Sequence, residues 1–275
     1  MTHFLLLVSF ILYTQISFGE TPHFLEKENL LFKSNFIESE FGKSILKKHG
    51  EWKMENGCLI GTEVESDGHD GSFRATVSKK DSIIIEVEFY FIDSLEFSVA
   101  MLGGGQGEVA HLSRTHMWHR VKAGTKKGIP RVHGYKKVNL NPKEKQIMRI
   151  EVYQDKMLYA VNNSHYLFVK DESLLADQKS LSICTDHGAV RITSIKAWDA
   201  ILSTNYSKNN FNTSIKYTLS DHKFLLTDTN EDHHLSFDEF KATANPKIKQ
   251  TDLKKVFDKK DINKDHKISS TEWGV

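Results

Sequence analysis

The chain has 275 residues, and its 37 Lys and Arg set against 36 Asp and Glu leave no net field. That balance argues against nucleic acid or an anionic membrane as the main partner. Two cysteines, Cys58 and Cys184, exclude a disulfide scaffold, so the fold must rest on its core.

The N-terminus runs Phe4-Leu5-Leu6-Leu7-Val8-Ser9-Phe10-Ile11-Leu12-Tyr13, too short to span a bilayer and placed where the apolar region of a secretory signal belongs. Ser17 and Gly19 supply the small residues that a signal peptidase inspects, which predicts a signal peptide over 1–19 and a mature start near Glu20. A membrane anchor or a buried N-terminal strand are the alternatives. Export implies a secreted, periplasmic or cell-surface location, with no membrane span once the signal is removed, since no other stretch is long and apolar enough.

From residue 31 to 199 short runs alternate apolar and polar residues between turn signals, with almost no helical period. The clearest run, Ser82 to Phe91, puts Ile83, Ile85, Val87, Phe89 and Phe91 on a core face and Ile84, Glu86, Glu88 and Tyr90 on an accessible one. Further strands are expected at Trp52 to Gly61, Ser72 to Val77, Glu96 to Leu102, Val109 to Arg114, Gln146 to Tyr153, Met157 to Val161, His165 to Val169, Ser180 to Thr185 and Val190 to Trp198. About ten strands at this spacing predict a mainly β sandwich or jelly roll. Both cysteines fall in apolar strand-like runs, where one bridge or two buried thiols would fit, and the burial preference of Cys favours thiols. Residues 200–219 turn polar and Asn/Ser/Lys-rich and read as a linker.

The segment 220–275 carries two copies of the EF-hand calcium loop. In the first, Asp228, Asn230 and Asp232 take loop positions 1, 3 and 5. His234 offers its carbonyl at position 7, Ser236 takes position 9 and Glu239 the bidentate position 12. In the second, Asp261, Asn263 and Asp265, the Lys267 carbonyl, Ser269 and Glu272 take the same places. Phe224 matches Phe257, Leu235 matches Ile268, and Phe240 matches Trp273, so the two loops should pair through Leu235 and Ile268 with aromatics packed behind them. Calcium is the expected cofactor.

Position 6, where Gly is the rule, holds His233 and His266, which must adopt positive φ at a cost of about 1 kcal/mol each. Loop 1 carries no Lys, whereas Lys264 and Lys267 offset the acids of loop 2, so loop 1 should bind more tightly. Three residues follow Glu272, leaving little exiting helix for a sensor-type opening. Structural or extracellular-type sites of ~10⁻⁴ to 10⁻³ M are expected.

The run Phe36-Ile37-Glu38-Ser39-Glu40-Phe41-Gly42, the run from Gly50 to Gly61, Glu65-Ser66-Asp67-Gly68-His69 and the closing Ile192 to Trp198 resemble the secreted concanavalin-like β-sandwich domains of the 3-keto-disaccharide hydrolase type found in planctomycete-like bacteria. The resemblance covers about residues 31 to 198. It implies a jelly roll whose concave face handles sugar and, for some members, hydrolysis of 3-keto-glycosides.

Read from the residues alone, Glu86 and Glu88 lie about 7 Å apart along one strand, near the separation used in two-carboxylate glycoside hydrolysis. His111 and Arg114 add ionisable groups, so Glu86, Glu88, His111 and Arg114 are the catalytic candidates. The plainer reading of each is a solvated strand face or a satisfied polar residue. His69-Asp70 beside Arg74 is a further polar group, Gly103 to Gly107 reads as a hairpin, and Trp118 with His116 and His119 could stack on a sugar or fill the core. Two function classes therefore stand: an exported carbohydrate-active enzyme with a calcium-stabilised appendage, or a non-catalytic module binding a carbohydrate, a cell-surface glycan or a protein. A cleft holding Glu86 and Glu88 with His111 or Arg114 would favour the enzyme.

Overall fold

The computed structural model describes residues 23–34, 36–37, 45–77, 82–103, 106–122, 131–175, 180–204, 216–217, 223–225, 227–230, 232, 234–242, 244 and 248–273. The expected signal peptide over 1–19 lies outside the described residues. Two eight-stranded antiparallel sheets face each other.

The first sheet runs β13 (His165–Lys170), β12 (Lys156–Val161), β11 (Gln146–Tyr153), β6 (Ser82–Phe91), β15 (Ala189–Leu202), β4 (Cys58–Thr62) and β3 (Glu51–Glu55), with β1 (Leu25–Lys33) also paired to β15. The second runs β16 (Lys216–Tyr217), β10 (Arg131–Lys137), β9 (His116–Lys122), β8 (Gln106–Ser113), β7 (Glu96–Gly103), β14 (Ser180–Asp186), β5 (Gly71–Thr76) and β2 (Ile45–His49). Strand alternation sends one set of side chains from each sheet into a shared core: Ile83, Ile85, Val87 and Phe89 from β6 meet Phe97, Val99 and Met101 from β7, and Phe89 stacks on Phe97 at 3.8 Å. Gly61 in β4 lets Trp52 lie against the backbone, since a Cβ there would sit 2.2 Å from the indole. Tyr159, fully buried, crosses the core to donate to the His111 carbonyl at 2.8 Å, and burial raises its phenol well above the ordinary value.

The sandwich departs from the sequence reading in several places. Ile84, expected on an accessible face, is fully buried in a second apolar cluster with Phe24, Leu25, Leu158, Phe168 and Ala200 on the outside of the first sheet. The run Trp52 to Gly61 is two strands with a turn between them. Strands β1, β2, β9, β10 and β16 were not anticipated. The sheet residues begin at Leu25 and continue to Leu202, and Lys216–Tyr217 pair with β10, so the stretch read as linker contributes to both sheets. Cys58 and Cys184 are free thiols on different sheets, each half-buried rather than buried.

What covers Ile84 is pinned by a buried carboxylate. Glu151 accepts the Phe24 and Leu25 amides, each at 2.9 Å, His23 Nδ1 at 2.7 Å and Arg149 Nε at 2.7 Å. Burial alone would raise this carboxyl, but His23, Arg149 and the Leu25 amide together hold it below its usual range.

The C-terminal segment packs separately. Helical residues at 223–225 lead into the first loop, α1 (Phe237–Ala242) follows it, α2 (Gln250–Lys260) leads into the second, and α3 (Ser270–Trp273) follows that. Phe224, Leu235, Phe240, Leu253, Phe257 and Ile268 form its core, with Phe237 and Trp273 packed against it. All six residues matched between the two sequence copies thus belong to one cluster. Tyr135 of β10 reaches this unit through the Leu225 carbonyl at 3.2 Å.

Candidate functional site

In the C-terminal unit, β17 (His234–Leu235) and β18 (Ile268–Ser269) pair antiparallel, with Leu235 opposite Ile268. Each loop closes on its last carboxylate. Glu239 Oε1 accepts the Thr229 amide at 3.0 Å and the Asn230 amide at 3.3 Å, while Oε2 accepts the Ser236 amide at 2.9 Å and its hydroxyl at 2.8 Å. Glu272 repeats the set on Ile262, Asn263 and Ser269, at 3.0, 3.2, 2.8 and 2.7 Å. The Ser269 amide and hydroxyl lead the donors that pull the Glu272 carboxyl down to about 2. For Glu239 burial pushes upward, and the Ser236 and Thr229 donors outweigh it.

The first acid of loop 2 shapes the turn: Asp261 accepts the Asp265 amide at 3.1 Å and the His266 amide at 2.9 Å. His266 takes φ +68°, as its position requires, and Lys264 is also left-handed at +61°. His233 lies outside the described residues. Asp228, Glu239, Asp261 and Glu272 are buried, a costly place for carboxylates that a shared cation would offset. The charge comparison between loops changes, however. Lys267 Nζ leaves its own loop and sits 3.2 Å from Asp232 Oδ2 of loop 1.

The second candidate region is the outer face of the second sheet. Strand register lays its side chains in rows across the strands. One row reads His49, Ser72, Cys184, Ser98, His111, Trp118; the next reads Leu46, Arg74, Ser182, Ala100, Val109, Arg120. Beyond the first row Asp186 stands opposite Glu96. The two rows, apart from Leu46 and Trp118, line a cleft of about 370 Å³ whose wall also takes in His69 and Asp70, within the size range of ligand pockets. His111 is buried, stacked flat on Trp118 at 5.0 Å and bonded through Nδ1 to Glu96. Its Nε2 and the Nε of Arg120 are buried without a hydrogen-bond partner among the described residues.

Negative charge gathers at the other margin. Burial, reinforced by Asp70, Glu96 and Glu63, pushes the Asp186 carboxyl up to about 6, with His187 opposing. His187 Nδ1 lies 3.6 Å from Asp186 and 3.7 Å from Glu63. Burial of its sulfur also raises the thiol of Cys184, which lines the cleft although the residue as a whole is half-buried.

The catalytic candidates are not brought together. Glu86 and Glu88 lie on the outer face of the first sheet, the opposite side of the sandwich from the cleft. Glu86 is held by Arg149 at 2.9 Å and Lys27 at 2.8 Å, and Glu88 by Lys145 at 2.9 Å. Their alternation reflects cross-strand ion pairing: Glu86 stands opposite Arg149 in the ladder. Arg114 sits at the end of the sandwich, its guanidinium 6.0 Å from the Phe91 ring, and its carbonyl accepts Leu140 N. Only His111 lines the cleft. His119 points inward and is buried against His133, 5.9 Å away, and His116 stacks on Tyr135. The residues that sequence reading passed over are Glu96, Arg120 and Asp186. Nothing local marks them, because their neighbours come from distant strands.

The model of the calcium-binding region of secreted protein acidic and rich in cysteine matches residues 178–275, which is less than half of the chain and includes β14 and β15 as well as the loop pair. What the match carries is a likeness of this region to a calcium-binding one. No curated protein matches the sequence. Among solved structures, SCLam, a non-specific endo-β-1,3(4)-glucanase of family GH16, aligns at 8% identity over 66% of this chain and 97% of its own, with a TM-score of 0.50. A protein of unknown function with a galectin-like fold from Bacillus subtilis aligns at 10% identity over 65% of this chain and 100% of its own, also at 0.50. At these identities the likeness is one of fold, a jelly-roll-like β-sandwich.

Proposed function

We propose that this is an exported calcium-binding protein whose C-terminal loops form an EF-hand pair and whose β-sandwich binds glycan in the cleft of the second sheet. The observation that carries the calcium reading is the repeated closure of both loops on Glu239 and Glu272, joined across Leu235 and Ile268. Oxygen donors at positions 1, 3, 5, 7, 9 and 12 suit a hard cation of flexible coordination. Asp228, Asn230, Asp232, the His234 carbonyl, Ser236 and Glu239 would hold one ion. Asp261, Asn263, Asp265, the Lys267 carbonyl, Ser269 and Glu272 would hold the other. The apolar N-terminal run supports export, and weak sites of ~10⁻⁴ to 10⁻³ M are of the class found in extracellular modules.

The glycan reading is supported by the sandwich fold, shared with a glucanase, and by a cleft that sets the Asp70 carboxylate among imidazoles and guanidinia over a floor of small residues. Binding is preferred to hydrolysis of 3-keto-glycosides, because Glu86 and Glu88 are engaged in ion pairs on the far sheet. Calcium titration by calorimetry of the mature protein, with Glu239→Ala and Glu272→Ala beside it, tests the central claim. Two sites in the wild type and the loss of one in each variant are expected; no heat at millimolar calcium would sink the proposal.

A further inference from the structure

We infer that the cleft of the second sheet selects an acidic sugar, holding its carboxylate on Arg120 and a neighbouring hydroxyl on His111. The inference rests on the glycan reading and adds to it the class of sugar.

Two buried polar atoms lining one cleft lack a partner among the described residues: Nε of Arg120 and Nε2 of His111. Leaving a buried polar atom unsatisfied is costly, most of all on a charged group, so their occurrence on neighbouring strands marks where a ligand group fits. The two residues are diagonal neighbours on β8 and β9, since Val109 stands opposite Arg120 and Trp118 opposite His111. Diagonal positions are about 7–8 Å apart, within reach of one sugar ring carrying both a carboxylate and a hydroxyl.

The two atoms ask for different chemistry. A guanidinium presents a planar fork of donors that matches a carboxylate in two parallel bonds. On His111 the ring Nδ1 is engaged by the Glu96 carboxylate, which leaves Nε2 as the ring atom facing a ligand hydroxyl, a group that can both donate and accept. Trp118, stacked on the ring, and Tyr159, bonded to the His111 carbonyl, fix the imidazole plane.

Charge across the cleft sets the orientation. Asp186 and Glu96 stand beyond one margin, and Arg74 and Arg120 stand in the row farther in, on β5 and β9. A ligand carboxylate is repelled by the first margin and drawn to the second row. Between Arg74 and Arg120 lie Ser182, Ala100 and Val109, three small side chains on consecutive strands. With strands about 4.8 Å apart the two Arg backbones are about 19 Å apart, so a short oligosaccharide lying along the row can meet both.

The test is calorimetric titration of the full mature protein, at fixed saturating calcium, with a disaccharide ending in glucuronate and with its neutral glucose counterpart. At least tenfold preference for the acidic sugar is expected in the wild type, falling to parity in Arg120→Gln and only partly retained in Arg120→Lys, which keeps the charge and loses the fork. His111→Ala should weaken both sugars, because the hydroxyl is common to them. Equal binding of the two sugars by the wild type overturns the acidic inference and leaves glycan binding standing. A preference that survives Arg120→Gln in a variant of unchanged melting temperature overturns the assignment to Arg120. Binding of neither sugar at millimolar concentration removes the glycan reading and the inference with it.

Discussion

Lys267 of the second C-terminal loop places its ammonium 3.2 Å from the Asp232 carboxylate of the first. The Lys267 backbone carbonyl is offered to loop 2 while the side chain pairs with a proposed ligand of loop 1, so one residue bears on both proposed sites. An exposed pair of this kind is weak and screened by salt. Lys267→Met should therefore tighten calcium at loop 1 by about two- to fivefold in a low-salt titration, with loop 2 changed less. Unchanged affinity at loop 1 would show that Lys267 swings clear when the ion binds.

The pairing of Leu235 with Ile268 ties the two loops mechanically. Loss of one ion should be felt by the other, since a coupling free energy acts in both directions. Glu272→Gln is expected to abolish one site and to weaken the remaining one severalfold, and Glu239→Gln to do the same in reverse. Stoichiometry from calorimetry and tryptophan emission from Trp273, packed 6.1 Å from Phe240, give the two readouts.

Glu151 is fully buried and clamps the Phe24–Leu25 backbone to β11. Replacing it by Ala leaves Arg149 and two amides without this partner, and breaking a buried pair in this way costs about 3–5 kcal/mol. The sign with pH follows from its depressed pKa. The folded state favours the ionised carboxyl, so the contribution is complete above the ordinary value of 4.5 and is lost as pH falls through the lower folded value. Urea unfolding at pH 7 should show the full gap between wild type and Glu151→Ala, narrowing as the pH approaches 3.

Asp186 behaves in the opposite sense. Its carboxyl, pushed from 3.8 up to about 6, ionises less readily in the folded protein than in the unfolded chain. The fold therefore loses stability through this group as pH rises from about 4 to 6. Asp186→Asn should melt a few degrees higher than wild type at pH 7.5 and at the same temperature at pH 3. A variant less stable at both pH values would mean that Asp186 acts through hydrogen bonds rather than charge.

The paired loops were legible because their geometry is local: twelve consecutive residues set each loop and its closing carboxylate, and the aromatic and aliphatic matches between copies specified the shared core of Phe224, Leu235, Phe240, Phe257 and Ile268. Most sandwich strands were legible for a similar reason, since alternation with period 2 is written within a single strand. What alternation could not say was what covers each face. Ile84 became core only because the residues beginning at Phe24 fold over it, anchored by Glu151 from β11. Glu86 and Glu88 read as a catalytic pair while their partners Arg149 and Lys145 were unknown.

The cleft was decided wholly by tertiary structure. Its rows join β2, β5, β14, β7, β8 and β9, strands that are neighbours in space and scattered in sequence, and a slip of one residue in any ladder would turn Cys184, Ser98 or His111 into the core. By itself, then, the sequence determined the mainly β class, the repeated loops and the apolar core they share, through spacing along the chain. Which side chains share a surface, and so which could share a ligand, was decided by strand order and register, which depend on contacts that no local window contains.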